Sequence, residues 1–453
     1  MTTITKRTQF ALQIAGLLMS LSAVASPPNI LIITADNLGY GDLPSFNSKT
    51  TIKTPHLDQL AAQGVRLTSF YTASPTCTVS RACLLTGRIA QRHGLVNQLP
   101  GLAGNYGVGL HQKEILIPQV LKKAPVSYVT GCFGKWNIGF AKGSRPTERG
   151  FDEFIGHASG NLDYYRHNYR TQHDLYQGTK ELHRDGEYST DIFAEAAIDF
   201  IRRQSEAKRP WFCYLPFNAP HCPVAGNKRS GEANIWQAPD WAFKEMSLSP
   251  KEINPTKRYS AVVYALDKAI GRVLTALDKA GSANNTFVFF MSDNGGFRRG
   301  RFPYTEVAIN DPLRQGGVTC WEGGLRVCAM ARWPGKIKAG TVIDEPFWSP
   351  DLIVACARLS KAKLPEKIIF DGKNPIPLLT GRAKSSHKSF YFNFREHAAL
   401  RQGDWKIVRE RPDHPWQLFN LKEDLSESIN LAKERPGQLE KLKASFAVWE
   451  NTF

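Results

Sequence analysis

An α/β fold, with a large and mainly parallel β-sheet between layers of helices, is predicted by two features of the chain. Two continuous apolar runs, at residues 29–34 and 286–292, are rich in β-branched and aromatic residues, as strands covered on both faces are. Segments with apolar residues at helical spacing, at 190–203 and 259–277, stand between strand-like runs. At 453 residues the chain is long enough to bury a sizeable core.

The remaining predicted elements continue this alternation. A helix begins after Thr54 as its cap, with Pro55 at the first position; a strand follows at 65–71, and a second helix begins at Cys77. Further helices are predicted at 116–123, 190–203 and 259–277, and further strands at 128–135, 211–216, 286–292 and 326–332. From about residue 385 short strands with tight turns take over, at 389–394, 399–401, 405–409 and 416–421, before a helix from 437 to about 449. This last part predicts a small antiparallel sheet covered by a helix.

The N-terminus resembles a secretory leader. Lys6 and Arg7 precede an apolar segment at 10–21, and small residues at 23–25 form a cleavage site. The apolar segment is short for a membrane span, and no other run approaches roughly eighteen residues. We therefore expect export to a periplasmic, secreted or lumenal location, without a membrane anchor in the mature form. The predicted division is a leader at 1–25, a main domain at 26–384 and a C-terminal α+β subdomain at 385–453.

Charge and cysteine content narrow the range of partners. The net charge of +17 suits an anionic partner, but the basic residues are scattered, with only short clusters such as 298–301. This distribution argues against a nucleic-acid-binding arm. The eight cysteines show no C-x-x-C pair and no zinc spacing, and several stand in apolar runs, where a buried thiol is the ordinary outcome.

Matching polar pairs follow the two most strand-like runs. Asp36 and Asn37 follow the first run, and Asp293 and Asn294 follow the run at 286–292. Each pair alone is also explained by a turn that uses Asp or Asn. Their matched placement, at the edge where open α/β sheets bind ligands, favours a site for Ca²⁺ or Mg²⁺ made of hard oxygen ligands.

Three further stretches place reactive groups at predicted strand or helix ends. Cys77 opens a helix, where free backbone N–H groups attract an anion, and Arg81 stands one turn later on the same face. Lys135 lies between glycine-rich turns after a strand, and His221 follows the strand at 211–216 through a proline turn. Taken singly, a buried structural cysteine, a surface arginine, a solvated lysine and a surface histidine are the commoner outcomes.

Together these stretches resemble the sulfatases of the alkaline-phosphatase superfamily, over residues 29 to about 432. The matching segments are 35–42, 77–81, 134–136, 219–221, 292–295, 321–327 and 403–406. The resemblance implies an alkaline-phosphatase-like sheet and a catalytic domain at 26–384. It also implies an arylsulfatase-like sulfuric ester hydrolase that acts on a sulfated small molecule or glycan.

The resemblance also implies roles for single residues. Cys77 would be oxidised to formylglycine by a formylglycine-generating enzyme, and its hydrated aldehyde would attack sulfur and later expel sulfate. Arg81 would orient the diol, Lys135 would stabilise charge on the transferring group, and His221 would protonate the leaving oxygen. The implied ligands of Ca²⁺, with Mg²⁺ as the alternative, are Asp36, Asn37, Asp293, Asn294 and residue 77.

Several positions depart from the family pattern. Val79 replaces the proline of the C-x-P-S-R signature, and Asn37 replaces a second aspartate, which leaves the metal site one negative charge fewer. Asn137 stands where histidine is usual; its amide can hydrogen-bond the diol but cannot take its proton. The lysine that grips sulfate falls on Gly317. Substitutes for its charge are expected among Arg298, Arg299 and Arg314.

Three hypotheses follow for function. The first is an exported sulfatase that cleaves sulfate esters, on a sulfated saccharide, with substrate choice made by loops at 161–185 and 226–251. The second is a phosphodiesterase or phosphonate hydrolase of the same superfamily, with the same nucleophile and metal. The third is a catalytically silent binder of sulfated glycans in which Cys77 stays a thiol.

Overall fold

The computed structural model describes residues 26–99, 109–223, 236–298 and 306–453. The predicted leader at 1–25, Arg299 and the first part of the loop at 226–251 lie outside these ranges. Within them, the predicted α/β architecture is confirmed: one large mixed sheet lies between helices, and a small antiparallel sheet precedes the C-terminal helix.

The strands and helices are numbered in chain order. The strands are β1 Asn29–Ala35, β2 Val65–Leu67, β3 Phe70–Tyr71, β4 Val129–Lys135, β5 Glu153–His157, β6 Asn168–Tyr169, β7 Gln172–His173, β8 Tyr176–Gln177, β9 Lys180–Glu181, β10 Trp211–Pro216, β11 Thr286–Ser292, β12 Ala329–Arg332, β13 Thr341–Ile343, β14 Phe347–Trp348, β15 Ser389–Phe394, β16 His397–Gln402, β17 Trp405–Arg409 and β18 Gln417–Asn420. The helices are α1 Pro55–Gln63, α2 Cys77–Thr86, α3 Ala90–His93, α4 Ile117–Lys122, α5 Ser189–Glu206, α6 Asp240–Glu245, α7 Pro255–Lys279, α8 Glu322–Leu325, α9 Asp351–Ser360, α10 Ile376–Leu379 and α11 Pro436–Glu450. Short 3₁₀ turns lie at Tyr40–Asp42, Pro146–Arg149 and Ala283–Asn285. Among the described helices, none has both the length and the apolar character required to cross a bilayer.

The large sheet has the strand order β13-β2-β12-β11-β1-β10-β4-β5-β8-β9. Its centre, from β11 through β1, β10 and β4 to β5, is parallel throughout. Towards the margins, β12 pairs antiparallel with β11 and with β2, and β8 pairs antiparallel with β5 and with β9. The carboxyl ends of β11, β1, β10 and β4 therefore meet at one edge of the sheet, the usual ligand edge of such folds.

Helices cover both faces of this sheet. Leu31 and Ile33 of β1 pack into a core shared with α1, α5 and α7. The alternate residues Ile30 and Ile32 pack into a second core, shared with α2, α4 and α9. A strand buried on both faces must be apolar at every position, which is why β1 shows a continuous apolar run rather than an alternating one.

The C-terminal sheet is an antiparallel meander of β15, β16, β17 and β18. One face packs on α11, where Leu400 contacts a cluster that includes Leu442 and Phe446. The other face packs on the rest of the protein, with Phe390 stacked 5.7 Å from Tyr71 between ring centroids. Alternate residues of these strands therefore pack into two different hydrophobic clusters, one on each face of the sheet. The boundary near residue 385 stays a prediction.

Three details of the structure differ from what the local sequence patterns predict. Thr54 stands at the N-cap of α1 and Pro55 at its first position, as predicted, but the Thr54 side chain makes no capping hydrogen bond. The free N–H groups of His56 and Leu57 instead donate to Asp267 of α7, at 3.1 and 2.8 Å. The predicted strand at 65–71 is divided into β2 and β3. The polar segment after β5 forms the two-residue strands β6 to β9, too short to leave a periodic pattern.

Candidate active site

The polar pairs that follow β1 and β11 lie against one another. The backbone N–H of Asn37 donates to Asp293 Oδ1 at 3.2 Å, and Asn294 Nδ2 donates to Asn37 Oδ1 at 2.5 Å. Asp36 and Asp293 are buried, with relative exposures of 0% and 1%. The parallel pairing of β1 with β11 causes this convergence, because it aligns Ala35 with Ser292 at the two strand ends.

Two buried cations face the two carboxylates. Lys135, the last residue of β4, places Nζ 2.5 Å from Asp36 Oδ2. Arg81 of α2 places Nη2 2.7 Å from Asp293 Oδ2 and donates from Nη1 to the Lys135 carbonyl oxygen at 3.0 Å. The guanidinium thus ties the end of β4 to the end of β11.

The two carboxylates differ in their titration. Burial alone would raise the pKa of Asp36, but Lys135, His221 and Arg81 outweigh it and lower this pKa to about 2. Burial and then repulsion from Asp36 raise the pKa of Asp293 to about 6, with only partial compensation by Arg81. The two cations thus favour the ionised form of Asp36 more than the ionised form of Asp293.

Cys77 is the first residue of α2 and points at the same cluster. Its Sγ lies 3.2 Å from Asp36 Oδ1 and 3.8 Å from Asn37 Oδ1. Burial, and then the charge of Asp36, raise the pKa of this thiol well above its usual value. As a thiol, Cys77 is therefore held protonated, which is the unreactive form of cysteine.

His221 follows β10 and is held in one tautomer. Its Nδ1 lies 2.6 Å from the carbonyl oxygen of Cys222, which can only accept, so Nδ1 carries the proton of the neutral ring. A ring nitrogen of His221, the sulfur of Cys77 and a carboxylate oxygen of Asp36 lie within 4.8 Å of one another. Burial lowers the pKa of the imidazole, which favours the neutral ring with its lone pair on Nε2.

The donor set at these strand ends fits a divalent cation. Asn294 Oδ1 is buried and has no hydrogen-bond partner among the described residues, which is unusual for an amide oxygen. Asn37 Oδ1 and the carboxylates of Asp36 and Asp293 lie in the same cluster. Oxygen ligands of this kind suit Ca²⁺ or Mg²⁺, whereas the thiol of Cys77 is a softer ligand.

Asn137 lies two residues beyond Lys135, beside the start of α2. Its Oδ1 accepts from Thr78 Oγ1 at 3.0 Å and from Gln98 Nε2 at 3.1 Å. Gln98 is a site residue that the sequence analysis missed. It stands in a loop after α3 with no motif around it, and only its spatial contacts identify it.

Of the arginines proposed to replace the sulfate-gripping lysine, Arg298 and Arg314 lie within the described residues and Arg299 does not. Arg314 stacks 3.7 Å above the Trp321 ring and donates to the carbonyl oxygen of Glu427 at 2.6 Å, so it faces the C-terminal sheet. Arg298 is 41% exposed and lies 3.8 Å from Asp311. A Cβ atom at Gly317 would lie 2.8 Å from the carbonyl oxygen of Gly295, so this backbone leaves no room for a lysine.

A small cavity adjoins the cluster. It has a volume of about 90 Å³ and is bordered by Asn37 and His221 on its polar side. The other walls are mainly apolar or aromatic, formed by Pro220, Cys222, Trp236, Tyr259, Phe297 and Ala308. Trp236 and Phe297, which no motif identified, are therefore close enough to contact a group bound beside His221.

Comparison with known proteins adds to this geometry. The model of the family described as Sulfatase matches residues 28–357. N-acetylgalactosamine-6-sulfatase of Canis lupus familiaris is 30% identical over 448 residues, which cover 95% of this chain and 79% of that protein. The Homo sapiens protein of the same name is 31% identical over 436 residues, which cover 93% of this chain and 77% of that protein.

Solved structures share the architecture. The crystal structure of Ps i-CgsB in complex with k-i-k-neocarrahexaose has a TM-score of 0.83 and 32% identity, covering 94% of this chain and 93% of that one. The PsFucS1 sulfatase from Pseudoalteromonas sp. has a TM-score of 0.76 and 26% identity, covering 99% of this chain and 95% of that one. The similarity therefore extends through the C-terminal sheet.

Proposed function

The chain belongs to the sulfatase family of sulfuric ester hydrolases, and we propose that its own substrate is a sulfated saccharide, cleaved to the alcohol and inorganic sulfate. The observation that carries the proposal is the buried cluster of Asp36, Asp293, Arg81, Lys135 and Cys77 at one sheet edge. Relatives named for N-acetylgalactosamine-6-sulfate and a structural relative bound to a neocarrahexaose support the saccharide. The net charge of +17 favours an anionic substrate.

We propose that Asp36, Asn37, Asp293 and Asn294 hold Ca²⁺, with Mg²⁺ as the alternative. The supporting observations are the unpartnered Oδ1 of Asn294 and its place in one cluster with the oxygen atoms of Asn37 and Asp293. When bound, such a cation withdraws charge from sulfate oxygens and lowers the pKa of an attacking hydroxyl.

Residue 77 acts as the nucleophile in this proposal after conversion of its thiol to formylglycine by a maturation enzyme. The raised thiol pKa supports a modified group, because an unmodified Cys77 would stay protonated. The hydrated aldehyde supplies a hydroxyl nucleophile of the kind used in covalent catalysis. The conversion fits an exported protein with a leader at 1–25, and we propose that location as well.

The surrounding side chains bind the sulfate and move protons. Lys135 has three N–H donors, and its described contacts use Asp36 alone, so donors remain for the transferring group. Arg81 is fixed by Asp293 and by the Lys135 carbonyl, which orients it with little freedom. His221 must first accept a proton at Nε2 before it protonates the leaving oxygen, and a bound anionic sulfate favours that protonation.

The proposal is tested by hydrolysis of matched esters of one alcohol, one a sulfate and one a phosphate. We expect a higher kcat/KM on the sulfate, and loss of turnover in Cys77→Ser. Cys83→Ser is the matched control, because Cys83 is also buried in α2 but contacts His93 rather than the cluster. A higher kcat/KM on the phosphate would support the phosphodiesterase or phosphonate hydrolase. Tight binding of a sulfated saccharide without turnover would support the silent binder.

A further inference from the structure

A closed hydrogen-bond network joins the first turn of α2 to Asn137 through Gln98. Gln98 Oε1 accepts from the Thr78 backbone N–H and from Thr76 Oγ1, both at 3.1 Å. Gln98 Nε2 donates to Asn137 Oδ1 at 3.1 Å, and Thr78 Oγ1 donates to the same oxygen at 3.0 Å. Thr76 and Thr78 flank Cys77 in the chain, so the network lies directly beside the residue proposed as the nucleophile.

Two backbone N–H groups, those of Thr78 and Leu99, fix the direction of the bonds in this network. The Thr78 N–H can only donate, so the Gln98 atom facing it is the oxygen, and the other Gln98 atom is the NH₂ group. That NH₂ group can only donate, so Asn137 must face it with Oδ1. The backbone N–H of Leu99 donates to Thr78 Oγ1, which leaves the Thr78 hydroxyl hydrogen for Asn137 Oδ1 as well. The amide of Asn137 therefore has one orientation.

This orientation leaves the buried Nδ2 donor of Asn137 without a hydrogen-bond acceptor among the described residues. Asn137 is fully buried, and its Nδ2 has no hydrogen-bond partner within the described ranges. Buried amide groups in native proteins are nearly always hydrogen-bonded, so an unpartnered NH₂ group whose orientation is fixed by Gln98 and Thr78 needs an explanation. Gly160 borders the same amide: a Cβ atom there would lie 3.7 Å from Nδ2, and the glycine leaves that space open.

We infer that Gln98 is a positioning residue that fixes Asn137 so that its NH₂ group donates to an oxygen of the reacting group on residue 77. The inference rests on the proposed function and adds Gln98 and the NH₂ group of Asn137 to the proposed active site. An amide NH₂ has no lone pair available to take a proton, so Asn137 stabilises negative charge on that oxygen and does not act as a base. A preorganised donor of this kind contributes to the rate rather than to substrate affinity.

Gln98→Glu reverses the network while it keeps the shape of the side chain. A glutamate at 98 still accepts from Thr76 and Thr78, but it cannot donate to Asn137, whose amide must then turn and face the reacting group with Oδ1. Asn137→Asp removes the donor directly and is the second variant. Gln119→Glu is the matched control: Gln119 Oε1 accepts from the Leu116 N–H, a contact that a carboxylate retains.

The assay measures kcat and KM on the sulfate ester, normalised to the fraction of residue 77 converted to formylglycine, with melting temperatures recorded for each variant. We expect kcat to fall about 10²-fold in Gln98→Glu and in Asn137→Asp, with KM little changed and with Gln119→Glu at the wild-type rate. A fall of less than about tenfold in both variants would overturn the inference.

The pH profile of kcat separates a contact with the reacting group from a general loss of structure. Asn137→His should add an ionisation between about pH 5 and pH 8 to the pH profile of kcat, because imidazole titrates in that range. An unchanged profile would contradict a contact between residue 137 and the reacting group. Wild-type protein that fails to hydrolyse any sulfate ester would instead refute the proposed function, so the two failures are distinguishable.

Discussion

Substitution of Lys406 by methionine should destabilise the protein strongly, because this lysine is the shared cation of two buried carboxylates. Lys406 Nζ lies 2.9 Å from Glu322 Oε1 and 2.8 Å from Glu427 Oε1, and all three side chains have a relative exposure of 0%. Glu322 belongs to α8, whereas Lys406 and Glu427 belong to the C-terminal part of the chain. The three charges therefore tie that part of the chain to α8.

Replacement of Lys406 would leave the carboxylates of Glu322 and Glu427 with different numbers of remaining partners. Glu322 keeps the hydroxyl of Tyr71, which donates at 2.5 Å, and Arg326 at 3.5 Å. The carboxylate of Glu427 keeps only the backbone N–H of Glu322, at 2.7 Å, among its described contacts. Removal of one partner from a buried ion pair costs about 3–5 kcal/mol, and Glu427 is the group left without a cation.

The cost should depend on pH. Burial, and then repulsion from Glu322, raise the pKa of Glu427 to about 7 even though Lys406 lowers it. Because this pKa lies above its unfolded value of 4.5, the folded state binds more protons, and stability falls as the pH rises from that value through 7. Without Lys406 the pKa of Glu427 rises further, so the loss is largest above pH 8 and smaller near pH 5, where Glu427 is neutral.

Urea unfolding of Lys406→Met at pH 8 and pH 5 measures both effects. Lys443→Met is the matched control: Lys443 is 38% exposed and pairs with Glu440 at 2.7 Å, so its loss should cost under about 1 kcal/mol. A loss at pH 8 no larger than that of Lys443→Met would refute the reasoning. An equal loss of unfolding free energy at both pH values would show that the loss does not come from the ionised carboxylate of Glu427.

The remaining predictions concern the metal site and the loop beside it. Addition of Ca²⁺ to protein treated with a chelator should raise the melting temperature, and Asp293→Ala should abolish the rise; an equal rise in the variant would place the cation elsewhere. Gly317→Ala should cost about 1–3 kcal/mol of unfolding free energy, because its Cβ would lie 2.8 Å from the Gly295 carbonyl oxygen. Gly437→Ala, in α11 with open space around it, should instead stabilise the folded protein by about 0.5–1 kcal/mol. Similar effects of the two substitutions on the unfolding free energy would show that the close contact at Gly317 does not destabilise the protein.

The architecture could be predicted because its strongest signals are local. Strands buried on both faces, such as β1 and β11, must be apolar at every position, and the helices of α5 and α7 must present one apolar face. The polar pairs at 36–37 and 293–294 were visible for the same reason, since each directly follows its strand. Parallel pairing of neighbouring strands then brings such pairs together without further information.

The details that could not be predicted depend on residues far apart in the sequence. Asp267, up to 211 positions away, accepts hydrogen bonds from the free N–H groups of α1, whereas the side chain of Thr54, at the predicted N-cap position, does not. Arg314 stacks on Trp321 and donates to the carbonyl oxygen of Glu427, so its guanidinium faces the C-terminal part of the chain. Gln98 carries no motif at all. Its importance appears only when its two amide atoms are matched to Thr78 and Asn137.

The most direct test of the proposed chemistry is the mass of a peptide that spans residues 76–88, from protein purified from its native host. Conversion of Cys77 to formylglycine should lower the mass by roughly 18 Da relative to the unmodified cysteine. A preparation that hydrolyses sulfate esters should contain the modified peptide in proportion to its activity. An active preparation in which Cys77 is found entirely as a thiol would contradict the assignment of residue 77 as the source of the nucleophile.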